Sequence, residues 1–437
     1  MKYYSTNKSI RNVSLSDAVI MGLAEDKGLF MPERIEKFDP SFFEQIDKLS
    51  FQEIAYEVAR KFFGEDIELA KLKNIVYDTL NFDCPVVPVA DSIWSLELFH
   101  GPTLAFKDVG ARFMARLLSH FLGDTKEEVN VLVATSGDTG SAVANGFLNV
   151  PGIRVFVLYP KGKVSEIQEK QFTTLGANIT ALEIDGTFDD CQRLVKRAFL
   201  DEDLRSALTL TSANSINVAR FLPQAFYYFN AYARLKEAGV LRHKELVIAV
   251  PSGNFGNLTA GLFAREMGLP VNRFIAANNE NDIVYQYLKT GEYRPAPSIE
   301  TIANAMDVGD PSNFARILDL FGNSHQKISK AIKGSRFSDD EIRQAISDTY
   351  NSHHYLLDPH GACAYMSLQN SLATDEVGVF LETAHPTKFL GTIEEILGAG
   401  KIEIPEKLQA FMKGEKKSIP LSFEFEEFKK FMLSQAR

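Results

Sequence analysis

Leu246-Val-Ile-Ala-Val250 runs directly into Pro251-Ser-Gly-Asn-Phe-Gly-Asn257, and helical patterning begins at about Leu258. Five consecutive apolar residues, most of them β-branched, read as a strand buried on both faces. A strand passing through a glycine-bearing turn into a helix is the opening half of a parallel α/β unit. Gly253 and Gly256, either side of Asn254 and Phe255, let the backbone turn tightly and approach an anion closely. The N–H groups of such a loop converge where the helix dipole also favours negative charge, and Asn254 and Asn257 can add side-chain donors. No lysine follows the loop, so it is not a nucleotide P-loop, and Gly253-x-x-Gly256 is not the dinucleotide fingerprint. A plain strand-to-helix turn capped by asparagine fits the same residues.

Outward from this unit the same texture repeats. Apolar runs at Val131–Ala134, Ile153–Tyr159, Ile179–Ile184, Leu208–Thr211, Phe274–Ala277 and Val377–Leu381 have the length of buried strands. Helical stretches such as Phe188–Leu200, Ala219–Glu237 and Leu258–Met267 lie between most of them. The expected class is α/β, with strands in two groups and hence two sheets. The first ninety residues differ: Ser14-Leu-Ser-Asp17 has the form of a capping box, and helical segments follow at Phe51–Phe63 and Asp66–Leu80. Four stretches are therefore expected along the chain: a mainly helical 1–90, a segment 91–125, a small α/β domain 126–235, and a large α/β domain 236–437 ending in helices.

The chain has 437 residues, 45% of them hydrophobic and 24% charged, the balance of a globular protein with sizeable cores. Its net charge of −10 argues against a nucleic-acid or acidic-membrane partner, since both need a basic face. Cys84, Cys191 and Cys363 form no C-x-x-C pair and no His stands at ligand spacing, so neither a disulfide framework nor a metal site is expected. His353, His354 and His360 lie close in sequence without a partnering ligand array and read as ordinary surface or core histidines. The beginning of the sequence has no apolar signal region and no run reaches spanning length, so the expected setting is cytoplasmic.

A second chemical signal lies at His100-Gly-Pro-Thr-Leu-Ala-Phe-Lys107-Asp-Val-Gly110. Val109, Phe113, Leu117 and Phe121 repeat at helical spacing, with Asp108, Arg112 and Arg116 on another face. Lys107 thus begins a helix, where the dipole disfavours a cation. Desolvation and nearby positive potential lower a lysine pKa and make its amine nucleophilic toward an aldehyde. A solvated lysine beside a Gly-Pro turn is the plainer alternative. A nucleophilic lysine and a phosphate cradle in one chain are the two features pyridoxal phosphate requires.

Glu97, Thr103, Ala105, Phe106, Lys107, Asp108, Val109 and Gly110 resemble the cofactor-attachment signature of the serine/threonine dehydratase superfamily. Three further stretches narrow the likeness: Ala134-Thr-Ser-Gly-Asp-Thr-Gly-Ser141, Asn214-Ser-Ile-Asn-Val-Ala-Arg220 and Leu381-Glu-Thr-Ala-His-Pro386. With Gly22-Leu-Ala-Glu-Asp-Lys-Gly-Leu-Phe-Met-Pro32 and Met306-Asp-Val-Gly-Asp-Pro-Ser-Asn313, nearly the whole chain resembles the threonine synthase family in its longer microbial form.

The resemblance implies a fold-type II pyridoxal-phosphate enzyme, with two parallel-rich α/β domains flanking the cofactor and a mainly helical N-terminal extension. It implies conversion of O-phospho-L-homoserine and water to L-threonine and phosphate by elimination and replacement, and a monomer. Lys107 would form a Schiff base with the cofactor, Gly253, Asn254, Phe255, Gly256 and Asn257 would hold its phosphate, and Thr383 would face its ring nitrogen. Ser136, Thr139, Ser215, Asn217 and Arg220 would bind substrate. Asp138 occupies a position where shorter relatives carry an asparagine near the cofactor's phenolic oxygen, and an anion opposite a phenolate is unfavourable unless one is protonated. Helix capping is the plainer reading of Ser136, Thr139 and Ser215, as a surface ion pair is of Arg220 and a structural role is of His385. Two rival functions are a serine/threonine dehydratase, whose substrate needs no second phosphate site, and a non-catalytic sensor of a phosphorylated metabolite, for which no effector domain is visible.

Overall fold

A computed structural model describes residues 1–123 and 128–436. The chain forms two compact units, each discontinuous in sequence: Met1–Glu33, Lys107–Arg220 and Ile404–Arg437 make the first, and Arg34–Phe106 with Phe221–Glu403 make the second. This division differs from four consecutive stretches, because the N-terminal ninety residues are shared out by what their apolar faces pack against. In the first unit the helix Leu15–Met21, capped by the Ser14 hydroxyl, lies against the strand Thr209–Ser212. The Val19 carbonyl there accepts from the Thr211 hydroxyl and the Asn217 amide. In the second unit the helix Phe51–Phe63 buries Ile54, Val58 and Phe62 and packs on Ala225–Glu237. Phe38, Phe42 and Phe43 stack around Phe229 beside it.

The first unit is built on a five-stranded parallel sheet, in the order Ile419–Ser422, Ile179–Asp185, Ile153–Pro160, Val129–Ala134 and Thr209–Ser212. Its central strands are buried on both faces, which is why they read as nearly continuous apolar runs, interrupted only by Asn130 and Arg154 near their starts. One core lies under the helix Phe188–Ala198, where Leu182, Ile184, Leu194 and Val195 meet Phe425, Phe428 and Met432 from the end of the chain.

The second unit carries six strands in the order Ile332–Arg336, Arg273–Asn278, Glu245–Pro251, Glu376–Glu382, Ile93–Glu97 and Val86–Ala90. All neighbours are parallel except the final hairpin. Every strand anticipated from an apolar run is present. The strands that escaped such a reading lie at sheet edges or in a hairpin: Val86–Ala90 contains Pro88, Ile419–Ser422 contains Pro420, and Ile332–Arg336 is half polar. Edge strands need fewer buried side chains and tolerate proline. A two-stranded ribbon, Tyr3–Ser5 with Phe30–Pro32, was also hidden by its shortness. No helix among the described residues is long and apolar enough to cross a membrane.

Candidate active site

In the first unit Lys107 opens the helix Lys107–Leu122 as anticipated, but the helix is less amphipathic in place than its periodicity suggests. Asp108 and Arg112 are buried along with Val109, Phe113 and Leu117. Asp108 faces the charge of Arg220, which is 3% exposed and therefore no surface ion-pair partner. The Arg220 Nε donates to the Ala213 carbonyl at 2.7 Å and its Nη1 to the Lys107 carbonyl at 3.1 Å. Burial lowers Arg220 to about 10 while the charge of Asp108 opposes the shift, so it stays cationic at neutral pH. Gly110 permits this approach: a β-carbon there would meet the Arg220 carbonyl oxygen at 2.4 Å. The loop Asn214–Arg220 is thereby tied to the start of the lysine helix.

Asn217 is also fully buried, and its amide is committed to scaffolding. It donates to the carbonyls of Val19 and Ser212 and accepts from the Ala219 N–H. Expected as a substrate ligand, it also holds the shape of the loop that carries Ser215 and Arg220. Gly22, with φ +66°, packs against the Ser212 backbone and the same asparagine, which gives the N-terminal motif its structural purpose.

Ser136 and Thr139 flank Gly137 at the start of the helix Asp138–Phe147. Thr135 supplies the cap, its hydroxyl accepting from the N–H groups of Gly137 and Gly140. The hydroxyls and backbone N–H groups of Ser136 and Thr139 have no partner among the described residues, so the capping reading does not apply to them. Asp138 accepts from the Gln168 amide at 2.8 Å and sits at a helix N-terminus, where its charge is favoured.

In the second unit the strand Glu245–Pro251 leads into the loop and the helix Gly256–Glu266. Gly253 at φ +128° and Phe255 at φ +54° both occupy the left-handed half of backbone space. Alternation of this kind turns successive N–H groups toward one side. None of the five N–H groups from Gly253 to Asn257 has a hydrogen-bond acceptor among the described residues. The Ser252 hydroxyl, buried beside them, has no partner either. Ser252 escaped the sequence reading, although it stands inside the quoted loop, because one serine in a turn carries no distinguishing signal. The side chain of Asn254 is oriented by the Ser312 N–H and its carbonyl by the Asn313 N–H, both from the stretch quoted above.

Thr383 follows the strand Glu376–Glu382 and is 5% exposed. Its carbonyl accepts from the Phe106 N–H at 2.9 Å, its own N–H donates to Asp358 at 3.3 Å, and its hydroxyl has no partner among the described residues. Glu382 beside it is fully buried and accepts from the Asp358 N–H. Burial first, then the charges of Asp358 and Glu97, push its carboxyl well above the ordinary range. His385 caps the turn that follows, its Nδ1 accepting from the Thr387 N–H, the structural role anticipated for it. The described residues contain no group of three or more His, Cys, Asp or Glu arranged to hold a metal.

The profile described as pyridoxal-phosphate dependent enzyme matches residues 87–381. Profiles for the threonine synthase N terminus and C-terminal region match residues 2–80 and 361–432. The threonine synthase of Escherichia coli is 45% identical over 408 residues, covering 93% of this chain and 94% of that protein. The crystal structure of threonine synthase from Escherichia coli superposes with a TM-score of 0.94 over 100% of both chains, at 43% identity. A pyridoxal-phosphate-bound threonine synthase from Brucella melitensis gives 0.91 at 33% identity, again over 100% of both. On these grounds the chain belongs to the threonine synthase family of pyridoxal-phosphate enzymes.

Proposed function

We propose that this enzyme converts O-phospho-L-homoserine and water to L-threonine and inorganic phosphate, with Lys107 as its covalent cofactor attachment and principal proton carrier. The observation that carries the reading is the occurrence of two separate anion-ready helix starts. One is the loop Gly253–Asn257, whose five N–H groups have no acceptor among the described residues. The other is Ser136 and Thr139, whose hydroxyls and N–H groups have no partner among the described residues, in the same unit as the buried cation Arg220. A cofactor phosphate needs one such receptor and a phosphorylated amino acid a second. A dehydratase substrate, with only its carboxylate to bind there, would need no added cation, whereas the buried Arg220 suits a phosphate.

The residues fit the cofactor. The Gly253 cradle and the orphaned Ser252 hydroxyl suit a doubly negative phosphate. The Thr383 hydroxyl suits a ring nitrogen, and burial of the neighbouring Glu382 disfavours its charged form. When bound, pyridoxal phosphate stabilises negative charge developing at the substrate's α-carbon. Lys107 Nζ takes the proton from that carbon and then serves the β-carbon as a proton donor or acceptor. Arg220 and the N–H groups at Ser136 and Thr139 receive the substrate phosphate as it departs from the γ-carbon with its negative charge. Ser215 and Asp138 complete the proposed set of ligands, Asp138 in the orientation that Gln168 imposes.

The test is product analysis. With O-phospho-L-homoserine and pyridoxal phosphate, threonine and phosphate should appear in equal amounts. Ammonia and 2-oxobutanoate in their place would establish the dehydratase reaction. Borohydride reduction followed by peptide mapping should label Lys107, and Lys107→Ala should lower turnover by a factor of about a thousand or more, since it removes both nucleophile and base. Wild-type threonine formation by that variant refutes the role. A monomeric cytoplasmic enzyme is the accompanying expectation, read out by sedimentation and by fractionation.

A further inference from the structure

We propose that the buried Asp358–His360 pair is a positioning device that locks Thr383 and the Gly253 cradle into one rigid frame. The proposal rests on the reading that these two elements hold the cofactor. Asp358 is fully buried at the N-terminus of the helix Pro359–Ser371, and a helix cap needs only the bonds it accepts from the His360 and Gly361 N–H groups. It accepts three more. Oδ2 takes the N–H groups of Thr383 and Ala384, each at 3.3 Å, which fixes the backbone of the segment carrying the Thr383 hydroxyl. Oδ1 takes the His360 ring Nδ1 at 2.5 Å.

A carboxylate on Nδ1 requires the proton there, so Nε2 presents a lone pair. The Ala305 N–H donates to it at 3.2 Å. The carbonyl of the same residue abuts Gly253, where an added β-carbon would lie 3.0 Å from it. Two residues of the same segment, Ser312 and Asn313, grip Asn254 from its other end. Asp307 anchors that segment in turn by accepting from Asn279, Asn281 and Thr301. One continuous path of hydrogen bonds and contact therefore runs Thr383, Asp358, His360, Ala305, Gly253. Thr383, Asp358 and His360 along it are buried, the histidine at 2% exposed. A frame of this kind sets the separation between the groups for ring nitrogen and phosphate before cofactor arrives, which lowers the cost of binding.

Two substitutions at one position separate this role from simple structural support. His360→Asn keeps a donor for Asp358 but loses the acceptor for Ala305. His360→Gln places an amide oxygen where Nε2 stood, restoring the Ala305 acceptor. We expect His360→Asn to weaken pyridoxal phosphate binding about tenfold, the effect of one buried hydrogen bond, and to shift the phosphorus NMR resonance of the bound cofactor. His360→Gln should recover most of the affinity and the resonance, with the melting temperature of both cofactor-free variants close to wild type. Asp358→Asn should instead move the visible absorption band, which reports the ring end. Wild-type affinity and resonance in His360→Asn overturn the proposal. Equal loss in both His360 variants, tracking a fall in cofactor-free melting temperature, overturns it as well. Failure of the underlying assignment looks different: the wild-type protein itself then binds no cofactor, or borohydride labels a lysine other than Lys107, and the frame loses its ground.

Discussion

At the scale of single residues, burial decides which of the candidate groups carry charge. Arg220 keeps its charge inside the first unit because backbone carbonyls and Asp108 compensate it, whereas burial, and after it the nearby carboxylates, pushes the Glu382 carboxyl upward. Removing the guanidinium by Arg220→Leu should therefore weaken substrate more than cofactor, raising KM for phosphohomoserine at least tenfold while cofactor affinity holds. Loss of cofactor affinity of the same size would contradict that assignment. His385 makes a pH prediction. Burial, aided by the charge of His100 and opposed by Glu97, brings it down to about 4. A depressed histidine stabilises the fold above its unfolded value near 6.5, and that contribution is lost as pH falls toward 4. Between those limits the wild type should lose up to about 1.4 kcal/mol per pH unit relative to His385→Asn, with the two parallel above pH 7. Denaturant titrations at several pH values measure the difference, and a constant offset from pH 4 to 8 would rule it out.

At the scale of elements, the helix Pro359–Ser371 shows how a motif with no chemical signature acquires importance. Asp358-Pro359-His360-Gly361 reads as an N-cap followed by proline, the ordinary start of a helix. Its glycine is dictated by a neighbour far away in sequence: a β-carbon on Gly361 would lie 1.6 Å from the Glu382 carboxylate. Gly361→Ala should cost about 1–3 kcal/mol through overpacking, and because Glu382 precedes Thr383 it should also broaden or shift the cofactor's absorption band. A stable variant with an unchanged spectrum would show that the strand end yields freely.

At the scale of the whole molecule, each unit is assembled from distant parts of the chain. The stretch Ile404–Arg437 belongs to the first unit, where Ile419–Ser422 extends the sheet and Phe425, Phe428 and Met432 enter the core. Lys416 adds ion pairs to Glu169 and Glu183 and so anchors the segment that leads into this last strand. Ending the chain after Glu403 would remove these three side chains and Leu408, each worth about 1.5–3 kcal/mol of burial. That sum is comparable with the full stability of a domain, about 5–15 kcal/mol. We expect the truncated protein to lose protease resistance within 107–220 while 221–403 stays protected, as mass spectrometry of the fragments would reveal. Uniform protection of both regions would contradict this.

Sequence alone determined the α/β class, the interior strands, the lysine at a helix start and the glycine cradle. Each is a local property: a buried strand needs a continuous apolar run, and a tight anion-facing turn needs glycine at set places. The edge strands were illegible because an edge is defined by its missing neighbour. The scaffold bonds of Asn217 were illegible because one partner, Val19, is supplied by a distant segment. Ser252, Asp358, His360 and Glu382 had no signal of their own, since a serine, a cap or a buried acid gains its meaning from what the fold places around it. Tertiary structure decided which polar groups are left without a partner and which are spent on scaffolding, because hydrogen bonding and desolvation are settled by neighbours in space.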